Sequence, residues 1–460
     1  MKVLLLIPIN RSYVIAPSLG LGYLAAVLKK HHSVTILHCL KEKFSHGDLK
    51  KYLDQNLFDL IGIQMMSYDL FLAKQHLQII RSSNCKNSIV VVGGPHPSGD
   101  PEGTLNFLDK TDYAFKGEGE TGLSEFAALA QQNELNPEHL ANISGLIWRK
   151  DNRVLINEVK YIDDLDSIPF PAWDIIKPHT YPPSPHGAFF KSLPAAPIIV
   201  TRGCPFSCTF CAGKCITGSK VRKRSSSNVV DEIRYLKKDF HVNEFMIEDE
   251  NFTMHKDLVL ELCRKLIKEN INWSCPSGVR LDTLDLDMLR IMEKSGCHSL
   301  SAGIEFGSQR ILDITKKRLT LDVIKEKISL IRKTGIKITG FFMMAVPTET
   351  EEEIQETINL SRKLDIDRAQ FNNFMPLPGS PLYEDLKLTE KISVEQTKHF
   401  FVHDVAFVPK GLTAKRLKYL QRLAYLQFYM RPKIMWSLIN EIKNFNHLKS
   451  LINRFYDAMN

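Results

Sequence analysis

From Lys2 to about Gln132, short runs of apolar residues alternate with longer stretches whose apolar positions recur every three or four residues. KVLLLIP, SVTILHC, LIGIQMMS, SIVVVGG and YAFKGEGE read as strands. GLGYLAAVLKK, SHGDLKKYLDQN, LAKQHLQIIRSS and LSEFAALAQQ read as helices, with a short helix near PEGTLNFL. Strands that are apolar on both faces belong in a parallel sheet covered by helices on both sides. Five strand–helix pairs predict a doubly wound, flavodoxin-like α/β domain over residues 1–140. Such sheets bind ligands beyond the carboxyl ends of their strands, where the strand order reverses.

The pattern then changes. GLIWRKDNRVLINEV sets Lys150 to Arg153 between two apolar runs, which reads as a hairpin. Lys160 to Pro197 carries eight of the 22 prolines, the composition of a segment that wraps. Together they predict a hairpin and linker over residues 141–195. From Ala196 the alternation resumes in PIIVTRG, NEFMIEDENF, NWSCPSGVR, HSLSAGIEFG, IKITGFFMMAVP and RAQFNNFMPLPG, each but the last followed by a helical stretch. Gly296 and Gly335 stand where two of those helices should stop. Six β/α units with right-handed crossovers predict a partial (β/α)6 barrel over 196–390, with its chemistry at the carboxyl ends of the strands. Residues 391–460 are mostly helical and basic.

At 460 residues the chain suits two or three domains, and 44% hydrophobic with 24% charged residues suits burying a core without disulfides. No apolar run reaches the roughly 18 residues of a membrane span. The N-terminal MKVLLLIPIN is cut short by Pro8 and Asn10 and reads as a first strand; the expected location is the cytoplasm. The net charge of +8, much of it near the C-terminus, suits an anionic substrate, nucleic acid or a lipid surface. Within the C-terminal part, RLKYLQRLAYLQFY is amphipathic. It suits a helix closing the open barrel or one lying on an anionic membrane surface, a possible peripheral membrane contact. No nucleic-acid-binding module is present, so no nucleic-acid partner is expected.

Of nine cysteines, Cys39, Cys85, Cys263, Cys275 and Cys297 are scattered, whereas Cys204, Cys208, Cys211 and Cys215 fall in TRGCPFSCTFCAGKCITG. Cys204, Cys208 and Cys211 form CxxxCxxC directly after the first barrel strand. Three thiolates on one loop suit three corners of an iron–sulfur cube whose fourth iron stays open, since a fully ligated cube takes four cysteines. A zinc knuckle is the alternative, although no second CxxC pair or HxxxH follows at a suitable distance. Cys215 would close the open iron if it were a ligand. The plainer expectation is a free thiol beside the cluster.

This pattern, with aromatic Phe210 before the last cysteine, resembles the radical S-adenosylmethionine (SAM) superfamily. The resemblance implies a [4Fe-4S] cluster on Cys204, Cys208 and Cys211, with SAM chelated to the open iron and cleaved reductively. It implies SAM contacts at successive strand ends: Asp249 and Glu250 to the ammonium, Arg280 to the carboxylate, Glu305 to the ribose. GFFMMAVPTET resembles the adenine-side segment but has Ala345 and Thr348 where that segment usually carries glycine.

The N-terminal layout resembles the cobalamin-binding domain that precedes many radical SAM domains. Ser67 after the third strand, Gly93 and Gly94 after the fourth, and KGEGE after the fifth match it, which implies a channel for the cobalamin nucleotide tail. The DxHxxG motif is absent, which in this subfamily implies a corrin with no protein histidine on cobalt; His96 lies nearby. A flavodoxin-like domain that binds nothing, or binds substrate, is the alternative.

Taken together, the chain resembles a cobalamin-dependent radical SAM enzyme of the class B methyltransferase kind. The resemblance implies methylation of an unactivated carbon of a small-molecule substrate, fed by a flavodoxin- or ferredoxin-type electron donor. A radical cyclisation in the same architecture and a non-catalytic zinc-binding interaction protein are the other readings.

Overall fold

The computed structural model describes residues 1–10, 15–182, 190–389, 391–401 and 404–441. Its first five strands are β1 (Lys2–Ile7), β2 (Ser33–His38), β3 (Leu60–Gln64), β4 (Ile89–Gly93) and β5 (Tyr113–Phe115). They lie parallel in the order β2-β1-β3-β4-β5. Along β1 the side chains alternate between two apolar layers: Val3, Leu5 and Ile7 enter one, Leu4 and Leu6 the other. That double burial is why the strand reads as an unbroken apolar run. The order turns back between β1 and β3, which places the switch point beyond their carboxyl ends.

The hairpin forms as β6 (Leu146–Lys150) and β7 (Arg153–Ile156), with Asp151 and Asn152 at positive φ in a two-residue turn. It is not part of the linker. β6 pairs antiparallel with β5 and extends the sheet to seven strands, so the first domain runs past residue 140. The reason is the open edge of β5, whose backbone groups need a partner.

The barrel strands are β8 (Ala195–Ile198), β11 (Glu244–Ile247), β12 (Asn272–Val279), β13 (Cys297–Glu305), β14 (Lys337–Met344) and β15 (Arg368–Asn373). Between the first two, β9 (Thr201–Arg202) and β10 (Arg222–Lys223) pair antiparallel and close the base of the cysteine loop. The six barrel strands are parallel and lie in chain order, from β8 at one edge to β15 at the other. The helix Ala414–Tyr429 covers the β15 edge with Leu417, Leu420, Ala424 and Phe428 buried. Its apolar face is therefore spent on the barrel, as the closing-helix expectation has it. Residues 442–460, which hold the rest of the basic segment, lie outside the described residues, as do 183–189 of the proline-rich stretch.

Candidate active site

The cysteine loop leaves β9 and returns at β10, held on every side. Thr209 donates its N–H to the Thr315 carbonyl and accepts from Leu382 N–H, both at 2.9 Å. Phe210 packs edge-on against Phe306 at the end of β13, with ring centres 6.1 Å apart. Phe206 lies under the Arg280 guanidinium at 3.6 Å. Cys204 and Cys208 are half-buried and Cys211 is the most exposed of the three. Burial pushes the Cys208 thiol up, while the Lys317 and Arg280 cations pull it back toward thiolate. Among the described residues no three His, Cys, Asp or Glu side chains meet closely enough to hold a single metal ion, the arrangement a zinc knuckle needs.

Cys215 sits apart from this work. It lies on the short helix Gly213–Thr217, where its thiol donates to the Ala212 carbonyl at 2.8 Å. It presses on Gly379, at φ +84°, where an added Cβ would lie 2.8 Å from the sulfur. Burial pushes the thiol up to about 11, so it stays protonated at neutral pH.

The residues expected around SAM take unequal places. Asp249 is 1% exposed, and both oxygens are occupied. It accepts from Val200 N–H at 2.8 Å and from the N–H and hydroxyl of Thr201 at 2.7 Å. Burial pushes its carboxyl up to about 7 against those bonds. It thus anchors the strand end beneath the cysteine loop. Glu250 accepts from Gly203 N–H at 3.2 Å and Thr217 hydroxyl at 2.8 Å, pinning both limbs of the loop. Arg280 donates to Asp282 at 2.9 Å and 3.0 Å and to the Lys317 carbonyl at 3.0 Å, so it is held against the loop. Glu305 ends β13 at φ +67° and takes a 2.8 Å ion pair from buried Lys317. A non-glycine residue in that region is strained, and such strain collects at functional sites. Ala345 and Thr348 are also left-handed, at φ +69° and +71°, so they keep the conformation glycine would take.

Both domains line a cavity of about 290 Å³. Gly93, Gly94 and Pro95 border it from the first domain, and Ile199, Arg202, Ile216, Thr217 and Glu250 from the barrel side. Gly94 stands at φ +116°, and a Cβ there would lie 2.8 Å from the Met65 carbonyl oxygen. The position thus admits only glycine, and keeps backbone bare at the cavity wall. Ser67 is buried and hydrogen-bonds Nδ1 of His96 at 3.1 Å, behind the wall formed by Met66 and Pro95. His96 is itself buried, its ring pushed down to about 4 by desolvation, and its Nε2 has no hydrogen-bond partner.

The sequence pattern left several site residues unmarked. Lys317 hides in the KKR run after a helix and reads as solvated. Glu118 and Glu120 read as part of a strand-end motif. Arg202 had a signal: a charged side chain closing the apolar run PIIV.

These two half-sites define the class of protein. Residues 6–127 match the B12 binding domain and residues 198–361 the radical SAM superfamily. The chain thus joins an N-terminal B12-binding domain to a radical SAM domain. Over 469 aligned residues it is 29% identical to an uncharacterized methyltransferase of Pyrococcus horikoshii, spanning 100% of this chain and 99% of that protein. It is 26% identical to an anaerobic magnesium-protoporphyrin IX monomethyl ester cyclase of Cereibacter sphaeroides, over 91% of this chain and 68% of that protein. Its fold is similar to that of the radical SAM methyltransferase TsrM from Kitasatospora setae, solved with cobalamin and a [4Fe-4S] cluster. There the TM-score is 0.69 at 16% identity, over 84% of this chain and 78% of that one.

Proposed function

We propose that this chain is a cobalamin-dependent radical SAM methyltransferase acting on an unactivated carbon of a small molecule. One observation carries the reading: the residues flanking the cysteine loop and the glycine-lined strand ends of the B12-binding domain form the walls of a single cavity. Cofactors held on the two sides would meet there, out of bulk water.

The residues fit those groups. Cys204, Cys208 and Cys211 would hold three corners of a [4Fe-4S] cluster and leave one for SAM, and Lys317 and Arg280 favour the thiolate at Cys208. Gly94 keeps the wall bare where a corrin would press against it. When bound, cluster, SAM and cobalamin supply reductive cleavage of SAM and methyl transfer. The chain's part is to orient them and exclude water. Lys317 and Arg280 are two buried cations that could receive the SAM carboxylate; Lys317 is paired with Glu305, and Arg280 donates through Nε and Nη2 to Asp282 and the Lys317 carbonyl. Glu305 and Glu250 offer acceptors at the ends of β13 and β11. The reductive step consumes an electron, which requires a flavodoxin- or ferredoxin-type donor.

The similarity to a cyclase favours a second reading, radical cyclisation without methyl transfer. Anaerobic reconstitution with iron, sulfide and cobalamin, followed by SAM and a low-potential reductant, separates the two. Methyl transfer predicts S-adenosylhomocysteine together with 5′-deoxyadenosine, over a corrin absorption spectrum. 5′-Deoxyadenosine alone would replace the first reading with the second.

A further inference from the structure

The cysteine loop is held at its root by the other domain. Arg202 and Arg222 face each other across the β9–β10 pair that closes the loop. Arg222 grips Glu118 with both Nη atoms, at 2.8 Å and 2.6 Å, and Arg202 reaches Glu120 at 2.8 Å and Glu118 at 3.5 Å. Arg222 also donates to the Thr217 carbonyl at 2.8 Å, on the returning limb of the loop. The four side chains are each less than a tenth exposed. Their charges cancel, two against two. Glu118, Glu120 and Arg202 are at the same time part of the cavity wall.

A buried ionic cluster is a poor way to gain stability, because an apolar set of equal volume often does as well. What it adds is geometry. Arginine–carboxylate forks fix distance and angle together. Here the fork joins the root of the loop to a segment, Gly117 to Glu120, that belongs to the B12-binding domain.

We propose that Glu118 and Glu120, with Arg202 and Arg222, are positioning residues that set the cysteine loop relative to the cavity, so that filling the cavity and ordering the loop are coupled. The coupling rests on the reading that the cavity takes a corrin; the positioning itself does not. Coupling is reciprocal. SAM bound at the loop must tighten cobalamin binding by the factor by which cobalamin tightens SAM.

The test uses the full, anaerobically reconstituted chain, with Glu118→Gln removing one charge at constant shape. Amide exchange over residues 203–221 is expected to quicken at least tenfold in the variant, with exchange in β1 to β4 unchanged. The ratio of cobalamin Kd without and with SAM is expected to fall from at least fivefold in the parent to under twofold. Exchange in the loop that matches the parent overturns the proposal, as does an unchanged Kd ratio. A parent that takes up no cobalamin, beside a variant whose loop loosens, sinks the corrin reading and leaves the positioning role supported. Should Glu118→Gln fail to accumulate, Arg222→Lys keeps the charge and loses the fork. Its loop exchange should be quicker than the parent's, and parent-like exchange there overturns the proposal as well.

Discussion

Thr348 and Ala345 show how a departure from a family's residues can leave its geometry intact. Both hold left-handed backbone, which a β-branched residue adopts at a cost of about 1–2 kcal/mol. Thr348→Gly should therefore not destabilise the chain. It should gain up to about 1 kcal/mol after the greater freedom of glycine in the unfolded state is deducted. Gly94→Ala should instead cost about 1–3 kcal/mol and abolish cobalamin retention; thermal melts and visible spectra check both. Next to Thr348, Glu349 is buried and accepts from Val346 N–H at 3.0 Å. Burial pushes its carboxyl up to about 8. A carboxyl raised in this way contributes stability that is full below its unfolded value and lost as pH rises through about 8. The melting temperature of the parent should thus fall relative to Glu349→Gln as pH rises from about 4.5 to about 8, and level off above; parallel curves would contradict this. For the cysteines, Cys208→Ala should abolish cluster assembly. Cys215→Ala should leave iron and sulfide content unchanged, with about 1 kcal/mol of stability lost from the packed junction at Gly379. CxxxCxxC was legible as a cluster motif because spacing on one loop is local information. The packing of Cys215 was not, because it depends on Gly379, far away in the chain.

At the scale of elements, the helix Ala414–Tyr429 does more than bury an apolar stripe. Gln421 donates to the Phe371 carbonyl at 2.7 Å, and Tyr429 to the Ala369 carbonyl at 2.9 Å. Tyr425 lies over the same stretch, its hydroxyl 3.3 Å from Phe371 N. Spaced four apart on one helix face, these side chains meet the backbone of the open edge of β15 and take the place of a seventh strand. Gln421→Ala should cost about 2–3 kcal/mol, since it leaves buried groups on Phe371 and Asn373 without this partner. Denaturant melts and light scattering should show the loss of stability and edge-driven aggregation. The amphipathic period of this helix was readable. The contacts its polar members make to the edge were not, because periodicity reports burial and not hydrogen bonding. The hairpin shows the converse. Its turn was plain in Lys150 to Arg153, yet its pairing with β5 follows from a neighbour that needed an edge covered.

Across the whole molecule, the decisive fact is that two sheets present their carboxyl ends to one space. Cobalamin at about a hundred times its Kd should stabilise the chain by about 2.7 kcal/mol. Because both domains line the cavity, calorimetry should show the increment in the melting of each; a gain confined to the first domain would mean that the barrel takes no part in binding. The sequence by itself determined the two α/β units, the succession of their strands and helices along the chain, and the CxxxCxxC motif with the family it resembles. Each of these is written in periodicity or in spacing along a few residues. The tertiary structure alone decided that Asp249 is an anchor, that Lys317 stands beside the cysteines, and that Glu118 grips Arg222. Those roles belong to side chains brought together from distant segments, where burial and pairing are set by packing that no local pattern encodes.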